Sequence, residues 1–438
     1  MCIRDRRGTT QAYDPVMFRR ARLGIRLTLL LIIALALLAP EWPAFGDPAY
    51  RFNVLVGPER RFDYVAWTAR ALGDKAQGIL DGSAVDLSAK AAETLVLDYL
   101  DQLGRARALE AEIEWAYTNP DIPDPAAATA EAQVQVDALR ADLAQRQPEA
   151  EAVVQNQVAA LLRREGLTVA GQMWPPVFMS MTPTPYLLIV SPRDRIEQIN
   201  YASLIPGLST AEKEALEQAV FAQLDQSALV VPIGGLGTYP AMIGETSSID
   251  WLAEVTAHEW THHWLSFHSL GVRYLDTPEM RIINETVASL VDLEIGPQVI
   301  AHYYADQVEP VALVAPAETP TQAAPLFDFA AEMGETRIEV DRLLAAGEIE
   351  AAEAYMESRR QVFVSHGYAI RKLNQAYFAF YGGYAAEPGG AAGADPIGPM
   401  LRELRAASPS LRAFLRDVAR VTSYDDLVAL HQRVVGGS

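Results

Sequence analysis

Residues 257–264 read Ala257-His258-Glu259-Trp260-Thr261-His262-His263-Trp264, and the rest of the chain organises around them. They fall in a segment, Ser247 to about Ser269, that predicts one amphipathic helix: Ser247 and Asp250 open it, and Leu252, Val255 and Trp264 can face a core. Positions four apart on a helix share a face, so His258 and His262 can direct two imidazole nitrogens at one ion. Glu259 stands a fraction of a turn away, near enough to reach a water on that ion without ligating it. Zinc suits imidazole ligands and keeps a position open for water in catalytic sites. The chain has seven His. With His this scarce, a chance match to His-Glu-x-x-His is on the order of one in a hundred. His263 and His268 fall off the ligand face and are expected to pack.

A catalytic zinc site takes a third protein ligand. Downstream lies Arg281-Ile282-Ile283-Asn284-Glu285-Thr286-Val287-Ala288-Ser289, early in a second predicted helix over roughly 278–305. Glu285 follows His262 by 23 positions. That separation lets one helix end, a connection turn, and a second helix return antiparallel beside the first. A carboxylate at 285 would complete a two-His, one-Glu site.

His258-Glu259-x-x-His262 followed by Asn284-Glu285-x-x-x-Ser289 resembles the gluzincin metallopeptidases, the thermolysin-like clan, over roughly residues 185–305. The resemblance implies zinc held by His258, His262 and Glu285, with Glu259 as general base. It also implies a sheet edge strand above the zinc, where extended substrate backbone pairs; Thr238–Ile243 stands in the right place along the chain. Two departures stand out. Ser289 occupies the position where thermolysin has an Asp that buttresses a zinc-binding His, and Asp292, one turn further, is the residue available to replace it. There is no Gly-x-Met-Glu-Asn segment as in the large aminopeptidases of the clan; Gly235–Met242 holds that place without its Glu. Recognition of a free amino terminus is therefore not supported.

The chemistry expected is hydrolysis by a zinc-activated water. Glu259 takes the water proton and passes it to the leaving amine. The tetrahedral oxyanion needs a donor besides the metal. The downstream candidates are His366 and Tyr368 in Val364–Tyr368, and Tyr381 or Tyr384 beside Gly382-Gly383. Asn374 is a further residue that could face the cleft.

Outward from this centre the fold reads as α+β, predominantly helical. A small antiparallel or mixed sheet packs on the motif helix, between a helical N-terminal and a helical C-terminal region. Residues 59–165 predict two or three long helices, with breaks at Gly82, Asn119–Pro125 and Pro148, and with Val96, Tyr99, Leu100 and Leu103 at helical spacing. Tyr186–Val190 and Ala228–Ile233 are strand candidates. Ser209-Thr210-Ala211-Glu212 is a capping-box pattern. Gly234–Gly237 reads as a turn and Thr238–Ile243 as a third strand. Residues 327–381 are helical, Gly382–Pro399 is a loop with six Gly and three Pro, and short helices close the chain. The segments are 1–46 (signal peptide or signal anchor), 47–173 (helical), 174–308 (metal-binding core), 309–326 (Pro/Ala-rich linker) and 327–438 (helical, completing the cleft).

Composition bounds the function. Lys and Arg number 36 against 56 Asp and Glu, a net charge of −20, which excludes the basic surface a nucleic-acid binder needs. The charge is uneven: residues 1–46 carry net +4 and the remainder −24. Arg19, Arg20, Arg22 and Arg26 precede the apolar run Leu27–Ala39, and Ala44-Phe45-Gly46 supplies small residues for cleavage after Gly46. This is a cleaved signal or an uncleaved membrane tether through residues 27–39. Either puts the body outside the cytoplasm, secreted or anchored to the outer face of the membrane. The only Cys, Cys2, lies in this head, so the body has neither a cysteine nucleophile nor a thiolate ligand. An exported zinc peptidase acting on peptides or unfolded protein is the leading expectation. A non-catalytic extracytoplasmic interaction module built on the 59–165 helices, and a zinc hydrolase acting on another bond, are the alternatives.

Overall fold

The computed structural model describes residues 47–80, 87–119, 121–307 and 327–436. The expected signal or tether and the 309–326 linker lie outside the described residues. Among the described residues no helix is long and apolar enough to cross a membrane. The chain forms two compact units, Met1–Val54 and Leu55–Ser438. Of the first, the described residues cover only part of the helix Pro48–Val56. The second has the predominantly helical α+β architecture expected.

Three long helices come first: α1 (Tyr64–Leu80), α2 (Ala89–Thr118) and α3 (Ala130–Arg164). Ser88 caps α2 by accepting from the Ala91 N–H. Val96, Tyr99, Leu100 and Leu103 of α2 are buried, as their spacing predicts, and share a core with Val154, Val158 and Leu162 of α3. Pro148 lies inside α3 and does not break it, which corrects the break expected there. Proline forfeits one backbone hydrogen bond, and the packed face of a 35-residue helix outweighs that.

Two three-stranded sheets follow, not one. Their strands are β1 (Met179–Met181), β2 (Tyr186–Pro192), β3 (Asn200–Leu204), β4 (Gln226–Pro232), β5 (Gly235–Leu236) and β6 (Ala241–Ile243). Between β3 and β4 runs α4 (Thr210–Leu224), opened by the Ser209–Glu212 capping box. In the antiparallel sheet β2 is central, with Leu188 opposite Ala202 of β3 and Val230 of β4. In the mixed sheet β6 is central, parallel to β1 and antiparallel to β5. The expected turn at Gly234–Gly237 thus contains the edge strand β5. The expected strand Thr238–Ile243 is only Ala241–Ile243, and it is the middle strand. Three of the four residues 234–237 are Gly, and Gly reads as turn because its propensity for strand is poor; the reason for Gly here lies in the site.

The motif helix is α5 (Ile249–Leu265), capped by Ser248, and it packs beside α6 (Pro278–Tyr303), capped by Thr277 with Pro278 in the first turn. One buried cluster joins Leu252, Ala257 and Trp260 of α5 to Ile283, Val287 and Val291 of α6. The same cluster takes in the α2–α3 hairpin and the last three helices, α10 (Ile397–Ala407), α11 (Leu411–Val418) and α12 (Tyr424–Val434). Before those, α7 (Phe329–Ala345) and α8 (Ile349–Ser365) enclose a separate cluster around Val340, Met356 and Phe363, and α9 (Gln375–Tyr381) covers the antiparallel sheet.

Candidate metal centre

Trp260 is buried and its indole N–H donates to Pro175 O at 2.8 Å. That anchor fixes the rotation of α5, so that the face bearing His258 and His262 turns toward α6. There the His258 and His262 Nε2 atoms lie 3.1 Å apart, and Glu285 Oε2 lies 3.4 Å from the first and 3.5 Å from the second. These three residues form a group that could hold a metal ion.

Each of the three donors is oriented from behind. His258 Nδ1–H donates to Asp292 Oδ2 at 2.7 Å. Asp292 lies one turn beyond the position that Ser289 occupies, so it plays the buttressing part available to it. His262 Nδ1–H donates to Asn284 Oδ1 at 2.8 Å, and Asn284 Nδ2 in turn donates to Leu270 O. Both imidazoles are thereby held with Nε2 free for a metal. The Tyr274 hydroxyl donates to the other oxygen of Glu285. Burial acts to raise the Glu285 carboxyl, but the two imidazoles outweigh it and hold it well below the usual carboxylate range. Burial likewise opposes the charged form of His258, and the Asp292 and Glu285 carboxylates carry it well above the ordinary histidine value.

Glu259 differs from its neighbours. Its side chain is buried and Oε2 has no hydrogen-bond partner among the described residues. Burial pushes its carboxyl up, and the nearby imidazoles offset this only in part. The buried Glu151 makes the contrast: it pairs with Lys75, accepts from Gln147 and accepts from the Met181 N–H at 2.7 Å. An unpartnered buried carboxylate costs several kcal/mol, on the order of 3–5, so structure alone does not account for Glu259.

Strand β5 lies directly on this carboxylate. A Cβ at Gly235 would fall 2.2 Å from Glu259 Oε1, and one at Gly237 would fall 3.3 Å from the His262 Cβ. Only glycine lets the edge strand come this close. His263, expected to pack, fastens the same segment: it is buried, its Nε2–H donates to Thr238 O at 2.5 Å, and its ring meets the edge of Tyr239. Burial pushes its pKa down to about 4. His268 stacks on Trp264 and donates to that residue's carbonyl, well away from the ligand face.

The donors open into a cleft of about 490 Å³, walled by β5, by residues of β2 and β3, and by Phe380 and Tyr384. Of the expected oxyanion donors only Tyr384 reaches it, with its ring centroid 6.3 Å from that of His258. His366 and Tyr368 do not line it. His366 stacks on Phe327 with centroids 3.9 Å apart and donates to Val362 O, while Tyr368 lies on Phe329. The turn after α8 carries both onto the α7–α8 pair. Tyr381 does not line the cleft either; it packs on Tyr377 over the antiparallel sheet, because α9 turns that face inward. Asn374 caps α9 through the Tyr377 N–H and donates to Ala228 O. The sequence assigns no part to Tyr274 or Arg281, yet both line the cleft. Their only sequence signals are position: Tyr274 in the α5–α6 connection, and Arg281 one helical turn before Glu285. Comparison with protein families, with curated proteins and with solved structures found no match.

Proposed function

We propose that the protein is an exported zinc-dependent peptidase of the gluzincin type. The observation that carries this reading is Glu259: a buried carboxylate with an unpartnered oxygen, beside three convergent metal donors. A purely structural metal site has no use for it.

The donor set fits zinc. A tetrahedral ion bound at about 2.0–2.1 Å sets its ligands about 3.3–3.4 Å apart, and the three separations are 3.1, 3.4 and 3.5 Å. When bound, zinc supplies a Lewis acid that polarises the scissile carbonyl and makes water acidic near neutral pH. The chain's own residues do the rest. Glu259 accepts the proton of the attacking water and delivers it to the leaving amine. Tyr384, whose hydroxyl has no partner among the described residues, donates to the developing oxyanion. Asp292, Asn284 and Tyr274 hold the ligands in place. Strand β5, at the edge of its sheet and lining the cleft, offers backbone groups to an extended peptide. The apolar run 27–39 and the basic residues before it support export, and the charge of −20 argues against nucleic acid as partner.

The test is metal analysis and peptide hydrolysis on the purified protein. We expect one zinc per chain, hydrolysis of peptides or unfolded protein, and a loss of at least about 10³-fold in kcat for Glu259→Gln with zinc retained. Absence of zinc even after its addition, or full activity in Glu259→Gln, would overturn the reading.

A further inference from the structure

The cleft is selective in charge. Among the described residues that line it, Arg281 is the one basic side chain besides the two histidines of the metal centre, and Glu259 and Glu285 are the only acidic ones. Both carboxylates already have work at the metal. No acidic group is left to hold a substrate's ammonium, which agrees with the missing Glu in Gly235–Met242.

Arg281 is half-buried, and among the described residues no carboxylate lies within ion-pairing distance of it. One NH₂ group donates to Ala379 O, and the guanidinium backs onto the turn at Gly383, where an added Cβ would fall 3.1 Å from Nη1. The remaining donors have no partner among the described residues, and the side chain borders the cleft beside Tyr384. A half-buried cation without a counter-charge is costly, and a planar guanidinium matches a carboxylate in two parallel hydrogen bonds. Arg281 precedes Glu285 by one turn, about 6 Å of helix rise. That spacing suits a group one residue away from a scissile bond held at the donors. With zinc bound, the cleft lining carries a net positive charge, complementary to an anionic peptide end.

Resting on the peptidase reading, we propose that Arg281 binds the C-terminal carboxylate of a peptide substrate, so that the enzyme removes residues from the carboxyl end. Binding tests this apart from turnover. In zinc-loaded Glu259→Gln protein, which leaves the peptide intact, calorimetry would compare an N-acetylated tripeptide ending in phenylalanine with its C-terminal amide. The acid should bind at least about thirtyfold more tightly than the amide. Adding Arg281→Met should remove that preference, and Arg281→Lys should keep part of it, since a single ammonium lacks the two-pronged match. Zinc content and Tm of each variant report folding; should Arg281→Met fail to fold, the acid–amide ratio with Arg281 present still decides. Equal affinity for acid and amide, or a preference that survives Arg281→Met, would overturn the assignment. Internal cleavage of peptides by the unmodified protein, together with equal acid and amide binding, sinks this assignment alone. Failure of the peptidase reading is a separate result: no peptide hydrolysed by zinc-loaded protein, whatever the binding ratio.

Discussion

Of the places where histidine and tyrosine come close among the described residues, two make a contrast. At the end of α5, His258 and His262 meet Tyr274 and Tyr384; after α8, His366 and Tyr368 meet Phe327 and Phe329. The sequence made both candidates for the same chemistry. They differ in what surrounds the rings. At α5 each imidazole has an acceptor behind it and bare nitrogen in front, next to a buried carboxylate with an unpartnered oxygen. At α8 the imidazole is spent on a backbone carbonyl and stacked on an apolar ring. Nearness of His to Tyr is not what marks a site. A buried carboxylate oxygen without a partner, beside imidazoles that are each held from behind, is what marks it.

The comparison breaks most readily at Gly235. In Gly235→Ala the added methyl would collide with the Glu259 carboxylate, displacing the proposed base or lifting β5 away. Hydrolysis should fall about 10²-fold or more with zinc still bound, since a catalytic group misplaced by about 1 Å costs about 10²-fold. Unchanged kcat/KM in this variant would separate Glu259 from the cleft. Next comes Asp292→Ala, which removes the acceptor behind His258. Zinc affinity should drop by about 10- to 100-fold, measured by competition with a chelator, because partners of this kind typically contribute that much. An unaltered affinity would mean that the His258 orientation is held by packing alone.

His263 sharpens the contrast within α5 itself. Its pKa is pushed down to about 4 in the folded chain, against about 6.5 for an ordinary histidine. Between those values the unfolded chain takes up a proton that the folded chain refuses. The stability His263 contributes is therefore present above about pH 6.5 and is lost as pH falls toward 4. By pH 5 the loss is about 2 kcal/mol. Denaturant unfolding at pH 7 and pH 5 should show wild type losing that much more than His263→Gln; equal losses would refute a neutral, buried His263. The smallest effect belongs to the other cluster. His366→Ala and Tyr368→Phe should each leave kcat/KM within about twofold, since neither side chain borders the cleft. A large loss in either would restore them as oxyanion donors.

Much of the helical frame was legible in the sequence. Val96, Tyr99, Leu100 and Leu103 lie on a buried stripe, and Ser209 and Glu212 cap the helix they were expected to cap. The strands around the cleft were less so. Gly235 looks like a turn residue because glycine's usual reason for being present is a turn. Here its reason is the Glu259 carboxylate, 24 positions away in sequence. Pro148 looks like a break because propensity is local, while the packing that keeps α3 continuous is not.

By itself the sequence determined what lies within one helical turn: His258, Glu259 and His262 on α5, and Asn284 beside Glu285 on α6. Helical geometry ties such residues together wherever the helix goes. Only the tertiary structure decided which distant groups serve them. Asp292, not Ser289, backs His258; Tyr274 holds Glu285; Tyr384, not Tyr381, Tyr368 or His366, reaches the cleft; and Arg281 stands there without a counter-charge. Each of these depends on how α5, α6 and the α9 turn pack against one another. That packing is set by a core whose members run from Val96 to Leu430, a separation over which no local pattern in the sequence carries information.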